Sequence, residues 1–490
     1  MPLRFDNSYA RLPDRLFARV APTPVAAPAW LVVNHSLGAD LGLTEAELSS
    51  PELLGALAGN QTLEGSEPLA LAYAGHQFGH FVPQLGDGRA VLLGEVVDTH
   101  GVRRDVQLKG SGRTPFSRGG DGRAALGPAL REFLVSEAMH ALGVPTTRAL
   151  AVVLTGEPVF RETPLPGAVL TRIASSHLRV GTFEYFAARG DRDALATLVD
   201  YALARHYPDR PRAETPALTL FGAVVEAQIR LVTRWLALGF VHGVMNTDNT
   251  AISGETLDYG PCAFLDAYHP QRVFSSIDRQ GRYAFAHQAP IAQWNLARLA
   301  EALLPLSSSG DGADPHVLRL FEVELESFPA RMRAAHEAEL RAKLGLSEAH
   351  EGDLELAEEL FQLMATDRVD FTLAFRRLSA AAAGAADPFR ELFSTSAGCD
   401  AWLARWRSRT EREPTTPEDR ARRMRQVNPA FIPRNHRVEE AIAAATVGDT
   451  APLQRLHQVL ARPFEDQPEH AELAEPPGDE QWRYRTFCGT

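Results

Sequence analysis

Three residues within eleven positions have side chains that can hold a cation and take up a proton: Asp248, Asn249 and Asp258. Carboxylate, amide and carboxylate are hard oxygen donors, the kind Mg²⁺ takes when it bridges protein to phosphate. The same residue types build ordinary Asx turns, so their presence alone decides nothing. Far upstream, Lys109 ends an alternating segment in which Asp105, Gln107 and Lys109 share one face and Val106 and Leu108 the other. Before that segment stands Gln84-Leu-Gly-Asp-Gly-Arg89, where Gly86 and Gly88 let backbone N–H groups come close to a phosphate. A glycine turn, a strand and then a strand-end lysine is a more specific combination than any of its parts. Arg89, Arg172 and Arg179 can join Lys109 in a local basic pocket, because a guanidinium donates two parallel hydrogen bonds to phosphate. Glu132 and Glu137 are the acidic candidates for pairing with Lys109, and both also suit a solvated helix face. His76 and His80 have the i, i+4 spacing of two zinc ligands on a helix. The glycines between and beside them, and the missing Glu of a metalloprotease helix, favour a loop or capping role.

Elements must hold these groups in place. Strands are predicted at 90–97 and 102–109, and again at 148–154 and 167–173. A helix is predicted from Pro128, a residue tolerated in a first turn, to Leu142, with Gly143 as its stop. From about residue 180 the pattern is mostly helical. Val225, Ile229, Val232 and Leu236 form a buried stripe leading straight into the turn that carries Asp248. Further helices are expected at 295–304, 317–344 and 351–363. Residues 1–65, with Pro-rich punctuation, are expected as an extension wrapping the first domain.

Composition narrows the class. The chain has 490 residues, 45% hydrophobic and 23% charged, enough for a substantial core. A net charge of -12 argues against sequence-independent nucleic-acid binding, which needs a basic face. No uninterrupted apolar run approaches the roughly 20 residues that span a bilayer, and no secretory signal is evident, so no membrane role is expected. Three scattered cysteines, Cys262, Cys399 and Cys488, make neither a disulfide framework nor a zinc site. A reduced cytoplasmic enzyme is expected.

Glycine turn, strand lysine, helix glutamate, then an Asp/Asn turn and a later Asp-x-Gly is the order of parts in a protein kinase. One part departs from it: the position of the kinase base, soon after His242-Gly243, is the apolar Val244. The sequence resembles the selenoprotein O (SelO) family of kinase-like protein adenylyltransferases. The resemblance rests on Tyr73-Ala-Gly-His-Gln-Phe-Gly-His-Phe, Gln84-Leu-Gly-Asp-Gly-Arg, Leu108-Lys-Gly-Ser-Gly-Arg-Thr-Pro-Phe-Ser-Arg and Asn246-Thr-Asp-Asn-Thr. Leu257-Asp-Tyr-Gly-Pro and Asn428-Pro-Ala-Phe-Ile-Pro-Arg-Asn-His complete it.

The resemblance implies an α+β, two-lobed, protein-kinase-like fold. Its parts would be an extension (1–65), an N-lobe (66–175), a helical C-lobe (176–385) and a C-terminal helical region with a cysteine-bearing tail (386–490). It implies transfer of AMP from ATP to Ser, Thr or Tyr hydroxyls of proteins, this one included, with ATP flipped relative to ordinary kinases. Gly86, Gly88, Arg89, Lys109, Asp121, Gly122, Arg172 and Arg179 would bind ATP, and Glu132 would pair with Lys109. Asp248 would accept the proton. Asn249 and Asp258 would hold Mg²⁺ or Mn²⁺, with Asp258 also serving the nucleotide. Some members carry a redox cysteine in the loop after Asp-Tyr-Gly and another near the C-terminus. Cys488 matches the second position, but the loop Gln271 to Asp278 has no cysteine, so Cys488 is expected to form mixed or intermolecular disulfides. A phosphotransferase of similar fold and a nucleotide-binding scaffold without catalysis are the alternative readings.

Overall fold

The strand that ends in Lys109 lies near the middle of an antiparallel sheet. The computed structural model describes residues 3–307, 314–394 and 396–478. Strands Ala90–Val97 and Arg103–Lys109 form a hairpin, with Ala90 opposite Lys109 and Leu92 opposite Gln107. Beyond Arg103–Lys109 comes Pro164–Ala174, then Arg148–Phe160. These last two strands are longer than predicted: they take in Pro158, Pro164 and Pro166 of the stretch expected as a turn, and join through 161–163. The segment expected as a wrapping extension does more than wrap. Phe17–Arg19 pairs with Leu69–Leu71 at one end of the sheet, and Ala29–Val33 pairs with Arg148–Phe160 at the other.

Alternation along the lysine strand sorts its side chains as expected. Val106 and Leu108 are buried with Leu48, Leu53 and Leu57 of the N-terminal helices. The helix Leu126–Ala141 starts two residues before the predicted Pro128 and covers sheet residues Val152, Ala168 and Leu170. Its outer side meets two C-terminal helices, Asn435–Thr446 and Ala451–Leu460, through Val438, Leu453 and Leu456. The last described α-helices therefore pack on the helix that covers the first sheet.

The rest is largely helical. Thr215 caps the helix Pro216–Leu238, accepting a hydrogen bond from the Leu218 N–H, Pro216 opens its first turn, and Gly239 ends it at φ +72°. Val225, Ile229 and Val232 of the predicted stripe are buried, and Leu236 is half-buried. This is the one described helix long and apolar enough to cross a bilayer. Of its most apolar 18-residue window, 83% is buried inside the fold, as befits a core helix. Helices Gln288–Leu303, Pro315–Leu344 and Asp353–Asp367 stand where helices were expected, with the first beginning seven residues earlier.

Candidate active site

After Gly239 the chain makes a two-residue strand, Phe240–Val241, paired with Ala263–Phe264, and then the turn that carries Asp248. A turn buried this deeply needs partners for its backbone groups. Three buried amides supply them. Gln288 accepts from the His242 N–H at 3.0 Å and donates to Phe240 O at 2.9 Å. Gln228 donates to Ala251 O at 2.9 Å, and Asn295 donates to Met245 O and Thr250 Oγ1, both at 3.0 Å. All three project from helices, so the helical region fixes the turn's path.

A cleft of about 640 Å³ lies between the sheet and this turn. Every residue expected at the site lines it except Glu132, which stands directly behind Lys109. Lys109 Nζ donates to Glu132 Oε2 at 2.7 Å and to Asp258 Oδ1 at 2.6 Å. Glu137, the other acidic candidate, is instead turned to Arg148 and Asn34. Arg172 Nε donates to Glu132 Oε1 at 2.6 Å, and a guanidinium nitrogen lies 3.6 Å from Asp258. Burial would raise the Glu132 pKa, but Arg172 and Lys109 outweigh it and hold the carboxylate below its usual range. Burial likewise opposes ionisation of Asp258, and Lys109, Arg172 and Arg89 overcome it, so Asp258 is an anion. Its backbone adopts φ +69°, a left-handed conformation uncommon for a residue with a side chain.

Asp248 differs. Burial pushes its carboxyl up to about 6 against the hydrogen bond from Gln77 and the nearby Arg179. Gln77 Nε2 donates to Asp248 Oδ2 at 3.3 Å, while Oδ1 is buried and has no partner. Beside it, Asn249 Nδ2 donates to Val244 O at 3.0 Å, which leaves the amide oxygen as a donor toward a cation. Arg179 donates to Asp248 O at 3.0 Å and to His177 O at 3.1 Å, with its guanidinium 4.2 Å over the Tyr73 ring. Of the three arginines expected to face phosphates, Arg172 is thus bonded to Glu132 and Arg179 to the carbonyls of His177 and Asp248.

The glycines have a packing reason beside the phosphate one. A Cβ on Gly86, at φ +73°, would lie 2.3 Å from the Phe116 ring, and one on Gly88 would lie 2.9 Å from Phe116 O. Gly122, at φ +70°, leaves room for Gly112 O, which a Cβ would approach to 2.1 Å. Asp121 stands at the exposed rim and pairs with Arg161 at 2.8 Å. His76 and His80 lie in a small hairpin, Gly75–Gln77 with His80–Val82, not on a helix. His76 faces Glu184 and His80 is exposed, so they make no zinc pair. Sequence reasoning missed Gln77 and Arg161. Gln77 sits inside a motif that carried the resemblance but suggested no chemistry, and nothing local connects Arg161 to Asp121.

A cleft with cations on its sheet side and an acid, an amide and a second acid below suits an enzyme that handles a nucleotide's phosphates. Comparison with known proteins agrees. The family described as "Protein adenylyltransferase SelO" matches residues 1–461. A "Protein nucleotidyltransferase YdiU" of Bradyrhizobium sp. (strain ORS 278) is 60% identical over 488 residues, covering 99% of each chain. The protein of that name in Agrobacterium fabrum (strain C58 / ATCC 33970) is 55% identical over 492 residues, covering 100% of both. The chain belongs to the SelO family of protein adenylyltransferases, and it is a protein nucleotidyltransferase.

Proposed function

We propose that this cleft moves AMP from ATP onto Ser, Thr or Tyr hydroxyls of proteins, its own included, releasing pyrophosphate. The observation that carries the reading is Asp248: a buried carboxylate that lines the cleft beside Asn249, with no cation on its side chain and only the Gln77 amide bonded to it, through Oδ2. The acceptor hydroxyl attacks the α-phosphorus, the bond from that phosphorus to the bridging oxygen breaks, and Asp248 takes the hydroxyl proton. Negative charge grows on the leaving pyrophosphate, so cations belong there. Lys109 and Arg89 supply them, with the N–H groups of Arg172 and Arg179 that Glu132 and the turn carbonyls leave over. Gly86, Gly88, Asp121 and Gly122 line the nucleotide's side of the cleft.

A divalent ion, Mg²⁺ or Mn²⁺, fits the donor set. Asn249 offers an amide oxygen and Asp258 an ionised carboxylate, both hard donors. No cluster of three or more His, Cys, Asp and Glu that would hold a metal occurs among the described residues. Two protein donors then leave most of the shell to phosphate oxygens and water, the usual arrangement for Mg²⁺ with a nucleotide. When bound, the ion supplies charge neutralisation at the phosphates.

We read the architecture as kinase-like, with residues 66–175 as one lobe and 176–385 as the other. The support is the order of parts and the Lys109–Glu132 pair at 2.7 Å. The relatives are bacterial, and we read the protein as a cytoplasmic enzyme. Incubation with ATP labelled separately at the α- and γ-phosphate tests the reaction. Transfer of α-label alone to protein supports it, γ-label alone would return the protein to phosphotransfer, and neither would leave a binding scaffold.

A further inference from the structure

The stretch Tyr73 to His80 is among the motifs that resemble the family, yet the resemblance gives none of its residues a role. Its hairpin lies against the catalytic turn residue for residue. The His76 N–H donates to Thr247 Oγ1 at 2.7 Å, Gln77 Nε2 donates to Asp248 Oδ2 at 3.3 Å, and the Phe78 N–H donates to Asn246 Oδ1 at 3.1 Å. The fit is close as well as bonded. A Cβ on Gly75 would fall 2.5 Å from Asp248 Oδ1 and 2.9 Å from its Cβ and Cγ.

The hairpin is also held from behind. His76 Nδ1 and Glu184 Oε1 are 2.5 Å apart, and Thr247 Oγ1 donates to Glu184 Oε2 at 2.5 Å. Glu184, on the helix Val180–Ala187, therefore ties the hairpin and the turn to one carboxyl group. That helix approaches so closely that a Cβ on Gly181 would meet Ala74 O at 2.1 Å. At the tip, Phe78 adopts φ +51°. A residue with a side chain persists in that conformation only where its surroundings over-determine it. Here the Phe78 ring packs 5.1 Å from Tyr283, whose hydroxyl donates to the same Asn246 Oδ1 at 2.5 Å.

We infer that Gln77 is a positioning residue for AMP transfer: with Oδ1 enclosed against Gly75, its amide fixes the Asp248 carboxylate so that Oδ2 is the oxygen turned to the acceptor hydroxyl. The inference rests on the reading of Asp248 as proton acceptor. A carboxylate's terminal torsion is broad and two-fold, so one held oxygen is what distinguishes the two. Gln77 acts on orientation and not on the nucleotide, so its loss falls on kcat and leaves the KM for ATP alone.

The test uses the full-length protein with Mg²⁺ and α-labelled ATP, with its own hydroxyls and added casein as acceptors. Gln77→Met keeps the shape and loses the amide, and it should lower kcat about tenfold, the effect of one hydrogen bond to a charged group. ATP KM should stay within about twofold. Gln77→Asn, too short to reach, should behave alike, and it carries the test if Gln77→Met melts before the assay. Added to Asp248→Asn, either change should cost nothing further. Unchanged kcat in the Gln77 variants with Asp248→Asn inactive would overturn the inference and leave the reading of Asp248 standing. Full activity in Asp248→Asn would instead remove that reading. A raised ATP KM with kcat held would assign Gln77 to nucleotide binding and overturn the positioning role.

Discussion

Asp248 and Asp258 are both carboxylates at one cleft, yet their surroundings drive them to opposite tasks. Asp258 sits against Lys109 at 2.6 Å and near Arg172, so it stays ionised and suits a cation or phosphate partner. Asp248 has no such neighbour on its side chain, and burial raises it to about 6, close to where a proton acceptor is useful. Asp248→Asn should therefore lower turnover by about 10²-fold or more while nucleotide binding persists, as general-base losses go. Steady-state transfer from α-labelled ATP, with binding of a fluorescent ATP analogue measured alongside, checks it. Asp258→Asn should abolish turnover and also weaken the dependence on Mg²⁺ concentration, with circular dichroism unchanged. Retained activity in that variant would remove Asp258 from the site. These residues were legible in the sequence because each belongs to a type and order that chemistry constrains. Gln77 was not, because a glutamine between His76 and Phe78 has no chemistry until the fold sets it against Asp248.

At the scale of elements, starts and stops were easier to read than partners. Thr215, Pro216 and Gly239 bracket a core helix as their types suggest, and the stripe from Val225 to Leu236 follows. The small hairpin at 75–82 escaped because each of its strands has three residues, too few for alternation to show. The helices Pro315–Leu344 and Phe371–Ala382 hold a further feature that no pattern announced. The chain has only two lysines, and the one outside the cleft, Lys343, is buried with its Nζ 4.1 Å from the Phe375 ring centroid and 5.4 Å from that of Phe371. Burial lowers it to about 7, with Arg234 on the facing helix adding to the effect and Glu339 on its own helix opposing it. An unfolded lysine keeps its proton to about 10.5, so between about 7 and 10.5 the unfolded state binds more protons. Folding stability from this group is then full above that window and is lost as pH falls through it, at up to about 1.4 kcal/mol per pH unit. Lys343→Met, similar in volume and uncharged, should remove that slope. Denaturant unfolding at pH 7 and pH 9 should find the variant's advantage over the parent larger at pH 7. An equal difference at both values would mean that Lys343 keeps its proton in the fold.

Across the whole molecule, the parts that position the site come from both ends of the chain. Strands from the first 33 residues edge the sheet, and the last helices brace the helix that carries Glu132. Such long-range packing leaves no local trace, which is why residues 1–65 read as a mere wrapping. The tail beyond 478, with Cys488, lies outside the described residues, so the expected disulfide behaviour remains a matter for peptide mapping. Cys262 makes a poor partner, since it is buried and its thiol is pushed up to about 12 by that burial. The join between the C-terminal helices and the rest depends on Arg434. Its side chain is fully buried, donating to Asp266 Oδ1 at 2.6 Å, to Asp370 Oδ2 at 2.8 Å and to Ala474 O at 2.7 Å. Asp370 also caps the helix Phe371–Ala382 through the Leu373 N–H. Arg434→Met would leave the buried Asp370 and the half-buried Asp266 facing each other without a cation, a loss of about 3 kcal/mol. Burial already raises Asp266 to about 6 with the arginine present, and removing the arginine raises it further. Protonation can then relieve the repulsion, so the variant's deficit should be smaller at pH 5.5 than at pH 7.5. Thermal melts of parent and variant at both values measure it. A deficit that does not depend on pH would mean that Arg434 holds this junction by packing and by its bond to Ala474, and not by balancing the two acids.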